Sequence, residues 1–339
     1  MKKMIALLLA LMMAVGMLAG CAKQNDDDTN ATTDKLRIAT TIFPEYDWVK
    51  AVLGDQADHA DITMLLDNGV DLHSYQPTAD DIVKISDCDL FIYVGGESEG
   101  WVEDALKNSA NKDRKVINLL DVLGDSVKSE EVVEGMQEEE HEHEEGEAHE
   151  HEEGEAHEHE EEADEHVWLS LKNAEVLVGA ISNALQELDA ENKEIYAENA
   201  DAYVKKLSAL DAEYQTAVDN ATRKTVLFGD RFPFRYLVDD YALKYYAAFV
   251  GCSAETEASF ETISFLAKKI DELKLPCVLT IEGKHHKIAE TIVKNTAQKS
   301  QEILTMDSMQ STTSKDVASG TTYLSVMEKN LAVLKEALD

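Results

Sequence analysis

The chain is short of positive charge. Of its 339 residues, 31 are Lys or Arg against 68 Asp or Glu, a formal net charge of -37. That balance excludes nucleic acid as a partner, because such a surface repels phosphates instead of replacing their counterions. Long apolar runs are scarce as well: beyond Leu18 no segment is apolar for long enough to cross a bilayer. An H-E-x-x-H motif is missing, which removes the usual helical arrangement of a zinc hydrolase. Cysteines number only four, too few for a disulfide scaffold. Core material is not lacking, since 44% of the residues are hydrophobic. The length suggests one large domain or two of ordinary size.

The N-terminus reads as an address. Lys2 and Lys3 precede an apolar run from Met4 to Leu18, short for a membrane span and of the right length for a signal peptide. Leu18-Ala19-Gly20-Cys21 then resembles a bacterial lipobox, in which the Cys21 thiol is lipidated. Residues 1–20 are therefore expected to be a lipoprotein signal peptide and residues 21–34, polar and free of aromatics, a flexible tether. The expected location is the extracytoplasmic face of a cell membrane, with lipid as a partner through Cys21. Cys88, Cys252 and Cys277 remain, an odd number, and Cys252–Cys277 is the first disulfide pairing to test.

From Leu36 onward, strand-like and helix-like segments alternate. LRIATTI, ADITMLL, LFIYVG and KVINLL read as strands, with helices opened by Pro44 and Thr78 between them. A second set follows in KTVLFGD, LKYYAAFVG and PCVLTIE, with helices at ETISFLAKKIDELKL and HHKIAETIVKNTAQKS. This spacing predicts an α/β fold of two lobes, each a mainly parallel sheet flanked by helices. Residues 190–218 form one run without Gly or Pro and predict a long rigid spine helix of about 40 Å between the lobes. The N-terminal lobe is then 35–189 and the C-terminal lobe 219–339, with a cleft between them.

An insertion interrupts the first lobe. Residues 134–162 repeat HEHEEGEA in near-copies, with almost no large apolar side chains and a dense negative charge. Such a tract cannot offset its ordering entropy and is expected to be disordered. Its histidines His141, His143, His149, His151, His157 and His159 are auxiliary metal ligands of a collector or a sensor. Each binds weakly, but together they raise the local cation concentration.

Three places in the folded part offer ligands at strand ends, where open α/β sheets bind small solutes. They are His73 in GVDLHSYQPTADDI, His166 in DEHVWLSL, and Glu282 with His285 and His286 in TIEGKHHK. Neutral imidazoles with one or two carboxylates suit Zn²⁺ well and Mn²⁺ less well.

These segments resemble the solute-binding lipoproteins of zinc and manganese ABC transporters over nearly the whole mature chain. GVDLHSYQPTADDI is similar to a G-x-D-P-H-x-Y-x-P-T motif, with Leu72 where proline is usual. DEHVWLSL is similar to D-P-H-V-W-L-S-P, with Glu165 and Leu171 in place of prolines. TTIFPEYDWVKAVLGD, IYVGGESEGWVEDAL and YLSVMEKNLAVLKEAL resemble other family segments, and a Glu/His-rich loop before the second histidine is typical of the zinc-importing branch.

The resemblance implies His73 and His166 as first-lobe ligands and Glu282 as the acidic fourth ligand. A third histidine is expected in H-x-x-F-x-Y-x(4)-Y-G-L, but GDRFPFRYLVDDYAL puts Arg231 there, and arginine cannot coordinate a cation. Asp230 is the nearest substitute, with Pro233 able to shift the loop. Alternatives are that Asp230 only pairs with Arg231 or Arg235, or that His285 or His286 compensates. The acidic loop GCSAETEASFE is not expected to place residues on the metal.

The function implied is a non-enzymatic binding protein. It captures a divalent cation, Zn²⁺ with Mn²⁺ as the other option, and delivers it to the membrane subunit of an ABC permease. A monomer is expected. The alternatives are a manganese-type importer component and a surface zinc hydrolase; the adhesin role sometimes attached to this family has no identifying residues here.

Overall fold

The computed structural model describes residues 35–107, 109–137, 162–253, 257–283 and 285–339. Leu36–Asp339 forms one compact unit. Among the described residues no helix is long and apolar enough to cross a membrane. Cys21 and the six tract histidines lie outside them.

The first four strands are β1 (Leu36–Thr40), β2 (Ala60–Met64), β3 (Leu90–Tyr93) and β4 (Lys115–Asn118). All their pairings are parallel, in the order β2-β1-β3-β4. Four more, β5 (Thr225–Phe232), β6 (Lys244–Val250), β7 (Cys277–Thr280) and β8 (Glu302–Thr305), repeat that order as β6-β5-β7-β8, again parallel. Strands such as LFIY and CVLT are runs of apolar or β-branched residues because helices cover both faces of a parallel sheet. In each order the chain reverses direction of travel beside the first strand. A crevice therefore opens at the carboxyl ends of β1 and β3 in one lobe, and of β5 and β7 in the other.

The helices are α1 (Phe43–Leu53), α2 (Ala79–Asp87), α3 (Val102–Lys107), α4 (Leu119–Leu123), α5 (Leu171–Leu188) and α6 (Lys193–Asn220), then α7 (Arg235–Asp240), α8 (Phe260–Leu273), α9 (Lys287–Asn295), α10 (Ser314–Ala318) and α11 (Tyr323–Leu338). Thr78, Ser170 and Ser259 cap α2, α5 and α8 by accepting the backbone N–H three residues on, which fixes where those helices begin. The 28 residues of α6 run about 42 Å. It buries Tyr196, Tyr203, Leu207, Leu210, Tyr214 and Val218 along one stripe. The segments α4, α7, α10 and β8 were not anticipated: each is short, the strand expected at KVINLL stops at Asn118 because that residue caps α4, and EILT shows no alternation strong enough to announce an edge strand.

The two sheets share one core. Trp48 on α1, Trp168 before α5 and Tyr323 on α11 are all fully buried and belong to one continuous apolar cluster. Tyr323 joins them: its ring meets Trp48 edge-on at 5.1 Å, its N–H donates to Asp47 at 2.9 Å, and its hydroxyl donates to the Trp168 carbonyl at 2.7 Å. Trp168 in turn donates through Nε1 to the Ser308 carbonyl just beyond β8. The last helix thus ties the first lobe to the second.

Glu134–Gln137, assigned above to the disordered insertion, instead pack on the second lobe. Met136 is buried, Gln137 N–H donates to the Ala248 carbonyl at 3.0 Å, and its side chain accepts from Ser259. Residues 138–161 lie outside the described residues.

Replacing Tyr323 by Phe keeps the ring and strands the buried Trp168 carbonyl. Chemical denaturation is expected to report a loss of about 1–3 kcal/mol, and Tyr323→Ala, which also opens a cavity, about 3–5 kcal/mol.

Candidate metal centre

His73 stands in a 3₁₀ turn, Leu72–Ser74, on the loop from β2 to α2. The turn forms because Asp71 accepts the His73 N–H at 3.0 Å while Leu72 inserts fully into the core. The His73 ring is then fixed from behind. Its Nδ1 lies 2.7 Å from Ser98 Oγ and 3.4 Å from Glu165 Oε2. Glu165 reaches that place because Gly96, at φ +81°, has no β-carbon to fill it, and Ser98 N–H donates to Glu165 Oε1 at 2.9 Å.

His166 is completely buried. Asp164 Oδ1 accepts both its backbone N–H and its ring Nδ1–H, each at 2.9 Å. Asp164 is held in turn, its N–H donating to the Lys128 carbonyl and its own carbonyl accepting the Tyr236 hydroxyl. An ionised carboxylate only accepts, so Asp164 keeps the proton of His166 on Nδ1 and leaves Nε2 bare. Glu165 biases His73 the same way. The two Nε2 atoms face each other 3.1 Å apart. Two bare lone pairs repel at that distance unless a proton or a cation lies between them. Zn–N bonds of 2.0–2.1 Å meeting at a tetrahedral angle would set such nitrogens about 3.3 Å apart. The spacing fits one ion.

Cys252, just past β6, completes a group of three. Its sulfur and one nitrogen of each histidine all lie within 4.8 Å of one another, the one such group of His, Cys, Asp or Glu among the described residues. Gly251 allows the approach: a β-carbon there would come within 2.8 Å of His166 Cε1. Glu130 accepts the Cys252 N–H at 3.0 Å. Burial, then Glu130, Glu165 and Asp164, push this thiol far above its ordinary value. The sequence reading kept the loop GCSAETEASFE off the metal and gave Cys252 to a disulfide, although its place right after a strand-ending glycine satisfies the strand-end rule that selected the other candidates.

The remaining candidates lie around this group. Arg231 pairs with Asp71 through Nη2 at 2.6 Å and donates Nη1 to the Ser253 carbonyl at 3.3 Å. Burial raises the Asp71 carboxyl, but the Arg231 charge and hydrogen bond outweigh it and hold the group below its usual range. Asp230 sits at an irregularity in β5, with Oδ1 accepting the Arg231 N–H and Oδ2 3.4 Å from the Ile281 N–H. Burial leaves it above the ordinary carboxylate range. Glu282 spends both oxygens on Ser308, accepting its N–H and its hydroxyl at 2.7 Å each. Burial and then Asp307 raise Glu282. Gln310 links this arm to the first lobe, its amide nitrogen 3.4 Å from Ser308 Oγ and 3.3 Å from His166 Nε2. His285 and His286 line a cleft of about 500 Å³ together with Asp71, Asp230, Arg231 and Glu282. Neither they, Asp230 nor Glu282 belong to the group of three.

Cys252 and Cys277 are not paired; both are free thiols, as is Cys88. In parallel strands the reason is geometric. Cys252 follows the carboxyl end of β6 and Cys277 begins β7, so the two lie at opposite ends of parallel strands that β5 separates.

A zinc-uptake family, described as "Zinc-uptake complex component A periplasmic", matches residues 38–337, and the chain belongs to it. The zinc-binding lipoprotein AdcA of Streptococcus pneumoniae is 34% identical over 337 residues, covering 99% of this chain and 61% of that one. The chain thus spans about three-fifths of that relative's length. The high-affinity zinc uptake system protein ZnuA of Bacillus subtilis is 30% identical over 323 residues, 95% of this chain and 94% of that one. Among solved structures, the Zn(II)-bound ZnuA-like domain of S. pneumoniae AdcA superposes with a TM-score of 0.68 at 30% identity, covering 90% of this chain and 99% of that domain.

Asp164→Asn removes the charge that fixes the His166 tautomer. Divalent-cation affinity is expected to fall by about 10–100-fold, measured by chelator competition, with the thermal midpoint as the control for folding.

Proposed function

We propose that this protein is a lipid-anchored extracytoplasmic carrier that holds one Zn²⁺ ion at His73 and His166 and delivers it to an ABC permease. The observation that carries the reading is the pair of Nε2 atoms 3.1 Å apart, each with its Nδ1 already committed. Such a pair is preorganised for a cation and ill-suited to remain without one. We assign it no covalent chemistry, since capture and release need only a change in coordination.

Glu282 and Asp230 are the acidic groups offered by the second lobe. Glu282 stands at the end of the Ser308–Gln310 chain that reaches His166. A cation entering the cleft would favour the charged form of both carboxylates, which burial now opposes. Imidazole nitrogens with a carboxylate favour Zn²⁺ over Mn²⁺. The shared core under both lobes makes a wide hinge costly, so release is assigned to the loops carrying His73 and Cys252. The Glu/His tract is assigned the role of collector, gathering ions weakly and passing them to the histidine pair. The relatives named for zinc binding and uptake support cargo and partner alike.

The test is a competitive Zn²⁺ titration of the whole chain, of His73→Ala, and of a chain lacking residues 138–161. The tract deletion should remove weak, multiple binding and leave one tight ion; His73→Ala should remove the tight ion. Tight binding that disappears with the tract, or survives His73→Ala, overturns the assignment.

A further inference from the structure

We propose that Cys252 is the third protein ligand of the ion held by His73 and His166, binding as a thiolate. The inference rests on the zinc-carrier reading and adds a sulfur to it. The position at the end of β5 where the resemblance implies a third histidine is closed, because Arg231 is engaged by Asp71 and by the Ser253 carbonyl and carries no lone pair to donate. The next strand compensates. In the register of the sheet Arg231 lies beside Phe249, and Cys252 follows three residues later, at the same carboxyl edge. Gly251 lets this turn close onto the His166 ring, and Glu130 pins it through the Cys252 N–H.

The distances leave a short movement to coordination. Zn–S bonds of 2.3 Å and Zn–N bonds of 2.0–2.1 Å place sulfur and nitrogen about 3.5 Å apart, and the three atoms already lie within 4.8 Å. One further oxygen near the pair has no hydrogen-bond partner. It is Gln310 Oε1, buried on the side chain whose amide nitrogen stands 3.3 Å from His166 Nε2. On binding, the S–H bond breaks, the proton leaves to solvent, and the sulfur pair forms the bond to the metal. A site of two imidazoles and one thiolate selects thiophilic ions such as Zn²⁺ and Cd²⁺ and disfavours Mn²⁺.

The experiment uses the full chain with Cys21→Ser, titrated with Co²⁺ and Zn²⁺. Co²⁺ should give a thiolate-to-metal charge-transfer band in the near ultraviolet that persists in Cys88→Ser and Cys277→Ser and is absent in Cys252→Ser. Cys252→Ser should bind Zn²⁺ about 100-fold more weakly, at least the upper end of what an outer-sphere partner costs, and its preference for Zn²⁺ over Mn²⁺ should narrow. One equivalent of Zn²⁺ should also slow alkylation of Cys252 in the parent chain, a readout that needs no variant to fold. No band and unprotected Cys252, with tight binding still lost in His73→Ala, overturn the thiolate and leave the carrier reading standing. Tight binding indifferent to His73 overturns both.

Discussion

Two imidazole nitrogens face each other 3.1 Å apart with no proton assigned to either by their surroundings. Everything near the site serves to keep them there. Asp164 and Glu165, adjacent in the chain, go to different histidines: one accepts from His166 and the other lies against His73. A single strand of backbone thus sets both tautomers. Its own position is set by hydrogen bonds to Lys128, Tyr236 and Ser98. The arrangement holds unfavourable electrostatics in a preformed geometry, and packing elsewhere offsets its cost.

That packing is the shared core. A two-lobed protein with separate cores would open around its linker, but here α11, at the end of the second lobe's sequence, packs into the first lobe, where Tyr323 bonds to Asp47 and to the Trp168 carbonyl. The long helix α6 lies along the first lobe's α5 and contributes buried tyrosines to the same cluster. Across the cleft, the Asp71–Arg231 pair adds a link whose partners are about a fifth exposed. Partly solvated pairs of this kind contribute modestly to stability. Its larger effect is chemical, since it neutralises Asp71 two residues from His73 and removes Arg231 from any contest for the cation.

The surroundings of the site also explain why acidic residues need not repel one another into disorder. Glu45 and Glu99 are both buried nearby, and burial pushes Glu99 up to about 7, with Glu45 raised by burial and by Glu99. A carboxyl raised in this way binds its proton more tightly folded than unfolded. It favours the folded state at acid pH, and that contribution is lost as pH rises towards 7. Glu165 moves oppositely: burial raises it, but His73 and Ser98 outweigh that and hold it low. The charge beside His73 is therefore Glu165, not the deeper pair.

The layout was legible in the chain's local pattern. Alternating apolar strands and capped helices demand a parallel sheet covered on both faces, and repeating the pattern after a long Gly- and Pro-free helix demands a second one. His73 and His166 were legible because their flanking residues are local: Asp71 and Leu72 make the turn of one, and Asp164 holds the ring of the other. Tertiary structure alone decided what meets them. Arg231 turns to Asp71, 160 positions away in the chain, and Cys252 arrives beside His166 because Gly251 leaves room. Glu282 turns to Ser308 beyond the next strand. These are contacts between loops at the ends of different strands, and their distances depend on sheet order and register. Periodicity reports which face a residue occupies; it carries no information about which loop lies opposite.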